Sequence, residues 1–270
     1  MSAADWDAPT YDRIADPMHR WGIAVLDRLP LAGDERVLDA GCGSGRVTEA
    51  LCERLPRGRV IALDASPAML DAARRRLARF GDRVEYLEAD LTRPLPIEDG
   101  GADAILSTAT FHWVPDHDAL FRNLAAVLRP GGRLVAQCGG DGNIAGLLGI
   151  VRAMGVGDAR PAQFATPAET KARLEAAGFG DVDAWLAVEP TRLEPGEPLE
   201  TYLETICLRE YLEPLPAAER GAFVREVIRR MPEPVLDYVR LNILAMRRGE
   251  KVPRQLLAKG LPADRRGDYP

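Results

Sequence analysis

Three glycines, Gly41, Gly43 and Gly45, occupy alternate positions in VLDAGCGSG, residues 37–45. A short apolar run precedes them, and RVTEALCERL follows with a helical pattern. Glycine between a strand and a helix permits positive φ and lets a ligand lie on bare backbone, while the helix start offers unbonded N–H donors. Two aspartates hold equivalent places further on. Asp64 closes the apolar run GRVIALD, and Asp90 closes DRVEYLEAD. A carboxylate at the second strand end, roughly 20 residues past the glycines, suits the paired hydroxyls of a ribose. Taken singly, the glycines also fit a tight turn and the aspartates a helix or loop cap. Taken together, at three consecutive strand ends on the edge where open α/β sheets take ligands, they point to a nucleoside-bearing cofactor. The G-x-G-x-G spacing is shorter than the G-x-G-x-x-G that cradles a pyrophosphate, which weighs against a nicotinamide dinucleotide.

Elements that would position these groups alternate along the chain. Strand-like runs at ERVLDA, GRVIALD, DRVEYLEADL, ADAILST and GGRLVAQCGG are separated by helical patterns at RVTEALCERL, PAMLDAARRRLARF and HDALFRNLAAVL. Ser66 and Pro67 cap and open the second of these helices, and Pro130 and Gly131 stop the third. Such alternation predicts an α/β fold with a doubly wound, mostly parallel sheet covered on both faces. Beyond residue 142, NIAGLLGIVRAMG and TPAETKARLEAAGF read as helices, with Thr166 as a cap, and VDAWLAVEPTRL reads as one strand. VLDYVRLNILAMR is a closing strand. Three regions follow: a helical N-terminal lid segment, 1–34; a main domain, 35–250, with a helical insertion at 197–232 before the last strand; and a polar tail, 251–270.

The 270 residues carry a net charge of -6, with 46% apolar residues. That balance suits a globular core, and the acidic charge disfavours nucleic acid as a partner. Four scattered cysteines form no C-x-x-C pair and imply reduced thiols and no metal site. With no signal peptide and no long apolar stretch, a cytoplasmic protein with no membrane partner, monomeric or homodimeric, is expected.

VLDAGCGSG, VIALDASPAML, VEYLEAD and LRPGGRL, in this order across roughly residues 35–138, resemble the class I methyltransferases that use S-adenosylmethionine (SAM). The resemblance implies a Rossmann-like sheet of seven strands with the last antiparallel. It also implies SAM as cofactor. Gly41, Gly43 and Gly45 would line its methionine part, with Asp39 at the ammonium. Asp64 would hold the ribose, Asp90 and Leu91 would meet the adenine amino group, and Ala65 and Met69 would pack on the adenine ring. Thr108 and Ala109 would contact the methionine part through backbone.

STATFHWVPDHDALF narrows the likeness to small-molecule methyltransferases of the trans-aconitate methyltransferase kind, whose loop reads much like W-V-P-D-H. In that group an N-terminal Trp and Tyr close over SAM, as Trp6 and Tyr11 would here. The acceptor site is expected from Trp6, Phe111, Trp113, Tyr202 and Arg209, the last as partner for an acidic acceptor. His112 and His19 are the candidate general bases, needed by a hydroxyl or carbon acceptor and not by an ionised carboxylate. His117 reads as a surface or cap residue at a helix start. The expected activity is methyl transfer to a small molecule, O-methylation of a carboxylate or hydroxyl first, with C- or N-methylation as the alternative. An NAD-dependent oxidoreductase and a non-catalytic SAM-binding module are the readings from other classes.

Overall fold

A computed structural model describes residues 16–155 and 162–249, with Thr10 and Ile14. Trp6 and Tyr11 and the segment 251–270 therefore lie outside the described residues. The chain runs α1 (Asp16–Leu26), β1 (Arg36–Ala40), α2 (Arg46–Arg54), β2 (Arg59–Asp64), α3 (Pro67–Leu77), β3 (Val84–Glu88) and β4 (Ala102–Thr108). It continues through α4 (His117–Val127), β5 (Leu128–Gly139), α5 (Ala145–Ala153), α6 (Pro167–Ala176) and β6 (Phe179–Val188). Next come β7 (Thr191–Arg192), α7 (Glu197–Tyr202), α8 (Arg209–Leu212), α9 (Ala217–Arg230), β8 (Val235–Leu236) and β9 (Val239–Arg247).

Seven strands form one sheet in the order β3-β2-β1-β4-β5-β9-β6. β1 to β5 pair in parallel, and β9 runs antiparallel to both β5 and β6. Alternate side chains of each strand reach opposite faces, so each face builds its own core. Leu38, Ile61, Ile105 and Leu134 pack with Leu120, Leu124 and Leu174 of α4 and α6. Val37, Val60, Leu106 and Val135 pack with Leu26, Leu51 and Leu70 of α1, α2 and α3. A third cluster joins Trp21 to Leu147, Tyr202, Val224 and Tyr238, and so binds α5 and the helices after β7 to the sheet's edge.

Local signals start several of these elements. Ser66 caps α3 by accepting from the Met69 N–H at 3.2 Å, with Pro67 at the first position. Thr166 and Glu169 form a reciprocal capping box on α6.

The predicted strand VDAWLAVEPTRL does not run through. β6 ends at Val188, and Thr191–Arg192 pairs instead with Val235–Leu236 in a separate two-stranded ribbon. Pro190 between them has no N–H to give a ladder. The chain between β7 and β8 holds α7, α8 and α9, with a π-helical turn over Leu203–Cys207.

Leu38 lies at the centre of β1, fully buried between β2 and β4. Leu38→Ala should cost about 2–5 kcal/mol of folding stability through lost burial and a residual cavity. Denaturant unfolding would show it as a lower midpoint at an unchanged slope; an unchanged midpoint would mean the sheet core collapses onto the gap.

Candidate active site

Strand order reverses between β1 and β4, which are neighbours although β2 follows β1 in sequence. The loops leaving these two strands meet across the gap. Thr110 donates its hydroxyl to the Gly41 carbonyl at 3.2 Å, and Ser107 donates to the Ala40 carbonyl at 2.6 Å. Gly41 has φ 86°, and a Cβ there would stand 2.1 Å from the Thr110 hydroxyl oxygen. Only glycine fits, for both conformational and steric reasons. Gly43, with φ 55°, is different, because a Cβ there would meet open space. The sequence motif thus combines one glycine that lets two loops touch with another that leaves room beside the backbone. Gly45 begins α2 without a side-chain cap, so the first-turn N–H groups of that helix take none of their hydrogen bonds from a capping residue.

Asp64 ties the cradle together. One carboxylate oxygen accepts from the Gly43 N–H at 2.8 Å and the other from the Ser66 N–H at 2.9 Å. Burial raises its pKa against the opposing pull of these backbone donors. Its remaining lone pairs can take hydroxyl donors. Asp39 is buried, and one oxygen accepts the Thr48 hydroxyl at 2.7 Å. Its other oxygen has no hydrogen-bond partner among the described residues. Such an orphan costs on the order of 1–3 kcal/mol, and a bound ammonium offsets it. Burial pushes the Asp39 carboxyl up to about 7, with Thr48 pulling the other way and Asp64 adding to the rise.

Asp90 is exposed just past β3 and accepts from the Thr92 amide and hydroxyl, both at 2.8 Å. Leu91 is buried beside it, and its carbonyl accepts from Asn123 at 2.9 Å. Ala65 is exposed and Met69 is buried. Thr108 ends β4, and Ala109 takes φ 55°, a left-handed conformation costing about 1–2 kcal/mol without glycine. The Ala109 N–H donates to the Gln137 carbonyl at 2.7 Å, which holds this turn against β5.

The aromatic loop resolves into unlike roles. Phe111 points into the core, its ring edge-on to Phe121 at 5.8 Å between centroids. Predicted to meet substrate, it instead anchors the loop, because it is the apolar residue facing α4. Trp113 is exposed and lies 4.8 Å from the His112 ring. His112 is buried, and its Nδ1 accepts the Gly139 N–H at 3.2 Å. An amide N–H can only donate, so the His112 proton sits on Nε2. Burial, then the charge of Arg240, then His117 hold it well below the ordinary imidazole range. His112 therefore has no lone pair with which to act as the expected base; it is a neutral donor through Nε2. His117, read from sequence as a surface or cap residue, is buried. Asp116 is the cap, and His117 Nε2 bonds the Phe111 carbonyl at 2.9 Å. His19 is half-buried on α1, hydrogen-bonded to the Arg46 backbone, with its pKa lowered first by burial and then by Arg46.

One further expectation shifts. Tyr202 is buried, and its hydroxyl lies 2.9 Å from that of Tyr238 and 3.5 Å from the Met18 sulfur, so it is a packing residue of the third cluster. Arg209 is half-buried on α8.

The sequence did not single out Arg240, which is buried at the start of β9 opposite Gly139. Its guanidinium stacks 4.7 Å above the Trp21 ring, and its Nε donates to Gln137 at 3.4 Å. Gln137 donates in turn to Asn242 at 2.8 Å. Trp21 is buried too, and its indole N–H has no partner among the described residues. In the sequence, Arg240 is one arginine among many; only the polar letters of VRLNILAMR, out of place in a buried strand, mark it.

A glycine cradle at the switch point, a ribose-ready carboxylate on the second strand and an antiparallel closing strand define a SAM-dependent methyltransferase. Residues 37–132 match the methyltransferase domain family. Trans-aconitate 2-methyltransferase of Methylobacterium nodulans (strain LMG 21967 / CNCM I-2342 / ORS 2060) is 33% identical over 230 residues, covering 82% of this chain and 86% of that one. The chain belongs to this methyltransferase family, and the nicotinamide alternative falls. Among solved structures, the YcgJ protein from Bacillus subtilis shares the fold with a TM-score of 0.62 at 18% identity, over 86% of this chain and 99% of that one. The phosphoethanolamine N-methyltransferase 2 of Haemonchus contortus, solved with S-adenosylhomocysteine, has a TM-score of 0.61 at 18% identity, over 90% and 57%. No helix among the described residues is long and apolar enough to cross a membrane.

The orphan oxygen of Asp39 and the open space at Gly43 fit the SAM methionine part, and Asp64 fits its ribose. Two measurements test this. Asp64→Ala should weaken S-adenosylhomocysteine binding about 10- to 100-fold in calorimetry, the scale of a lost charge-assisted pair; unchanged affinity would remove Asp64 from the ribose. For Asp39, the folded-state pKa lies above the usual carboxylate value, so the stability it contributes is present in acid and lost as pH rises through about 7. A ligand ammonium favours the ionised form. Affinity should therefore climb as pH rises through about 7 and then level off, and Asp39→Asn should flatten the profile. A profile equally steep in the variant would sink the ammonium assignment.

Proposed function

We propose that this protein transfers the methyl group of SAM to a carboxylate oxygen of a small polycarboxylic acid, giving a methyl ester. The observation that carries the reading is the state of His112. Its Nδ1 is taken by the Gly139 N–H, so the histidine of the loop beside the cofactor cradle can donate but not accept a proton. An acceptor that must lose a proton finds no base there, whereas a carboxylate arrives ionised. Relatives named for trans-aconitate methylation support the same acceptor class.

Bound SAM supplies a methyl made electrophilic by its sulfonium. A carboxylate oxygen would take that methyl as its C–S bond breaks, with a thioether left behind and no proton to lose. The protein's part is alignment of oxygen and methyl at roughly 3 Å, with water kept out. Thr108 and Ala109, held by Gln137, would fix the donor end, and His112 Nε2 would steady the acceptor. We also read α1 as the cover of this site.

Incubation with SAM and trans-aconitate should yield a monomethyl ester by mass spectrometry, its methyl released by mild alkali. An alkali-stable product from a phenol or amine, with none from carboxylic acids, would overturn the reading.

A further inference from the structure

The aromatic loop is fastened at two points, and both lead to α6. At the first, the Phe111 carbonyl accepts from the Val114 N–H at 3.0 Å and from His117 Nε2 at 2.9 Å. A carbonyl can only accept, so the His117 proton sits on Nε2 and the lone pair on Nδ1. That lone pair faces α6: the Arg173 guanidinium donates to it at 3.5 Å and lies 3.8 Å from the Asp118 carboxylate. At the second point, the Gln163 N–H donates to the His112 carbonyl at 2.7 Å, and the Phe164 ring stacks 5.9 Å from the His112 ring. Gln163 and Phe164 lead into Thr166, the cap of α6. His117 thus closes a ring of contacts that runs from Phe111 to α6 and back to His112. It is 6% exposed, and Phe121 packs against both it and Phe111.

We propose that neutral His117 is a positioning residue for methyl transfer, holding the Phe111–Trp113 turn where His112 can steady the acceptor, and that its protonation in acid frees this turn; the role assigned to His112 rests on the acceptor reading above. A second proton can enter only at Nδ1. There it meets the Arg173 guanidinium, and the contact to α6 changes from attraction to repulsion. The neighbouring carboxylates are engaged: Asp116 accepts from the Ala119 N–H, Glu169 from the Thr166 amide and hydroxyl, and Asp118 pairs with Arg173. His112, the other titratable neighbour, is neutral. Burial is the largest cause acting on the His117 pKa and lowers it; the Phe111 carbonyl opposes, Arg173 adds to the fall, and Asp118 and Asp116 oppose. A lowered pKa leaves the ring neutral near pH 7, so its hold on the loop is present above the ordinary imidazole range and lost as pH falls below it.

The chain has three histidines, so 15N NMR resolves each ring. In protein saturated with S-adenosylhomocysteine, neutral His117 should carry its proton on Nε2, and the Gly139 amide, bonded to His112, should shift with the midpoint of His117. A neutral proton on Nδ1, or a His117 that titrates without moving the Gly139 amide, overturns the role. Turnover on trans-aconitate at saturating SAM, which removes any effect of cofactor affinity, gives the second readout. His117→Leu should lower kcat about 10- to 100-fold with S-adenosylhomocysteine affinity unchanged. His117→Gln keeps a donor for Phe111 and an acceptor for Arg173 but takes no proton. It should recover most of that rate and lose the acid limb of the kcat profile. Equal losses in both variants, or an acid limb kept in His117→Gln, overturn the role. If His117→Leu fails to fold, the acid limb and the Gly139 shift still decide. If no carboxylic acid is methylated, the acceptor reading falls, and the Gly139 shift alone confirms or overturns the hold of His117 on the loop.

Discussion

The site exists because β1 lies between β2 and β4. Right-handed crossovers from neighbouring strands that lead to opposite sides of a sheet leave a crevice between them that no connection crosses. Every group in the cradle takes its place from that crevice. The Gly41–Gly45 turn leaves one wall and the Thr108–Trp113 loop the other, and Thr110 on Gly41 sets their separation. β9 then extends the same edge in the opposite direction, and so brings its first residues, not its last, to the chemistry.

Two buried polar groups in this region are poorly satisfied by the protein itself, and one turn holds a strained backbone. Asp39 has an oxygen without a donor, Trp21 has a donor without an acceptor, and Ala109 sits in a left-handed conformation. Each works against folding stability by on the order of 1–3 kcal/mol. Asp39 and Ala109 lie at the carboxyl ends of their strands, where open α/β sheets take ligands, whereas Trp21 lies on α1 and another orphaned buried atom, the Thr170 hydroxyl, lies on α6. The unpaired Asp39 oxygen is thus preorganised for a group that donates.

His112 shows how one backbone amide can decide chemistry. Its ring stands where a base would stand, yet the Gly139 N–H occupies its one lone pair. Desolvation and the Arg240 charge keep it neutral, so its contribution is a directed N–H. That distinction turns on which nitrogen faces β5, which depends on a register between β4 and β5 that places Thr108 opposite Gln137.

Much of the cradle was legible in the chain. Gly41, Gly43, Asp64 and the parallel core strands are local: a glycine motif, a strand end and an apolar period of two each state their structure within a few residues. Ser66 and Thr166 announced their helices for the same reason, since capping bonds span only three residues. Contacts between distant segments carried no such signal. Phe111 and His117 lie in one loop and helix start, and only their packing against Phe121 and the Phe111 carbonyl turned them inward. Arg240 meets Trp21 across more than two hundred residues of chain, and its place opposite Gly139 follows from antiparallel pairing that no local pattern encodes. The sequence by itself determined the fold class and the cofactor end of the site, because those depend on short-range periodicity and turns. The tertiary structure alone decided the surroundings of His112 and Arg240, because burial, tautomer and charge there are properties of neighbours brought together by the sheet.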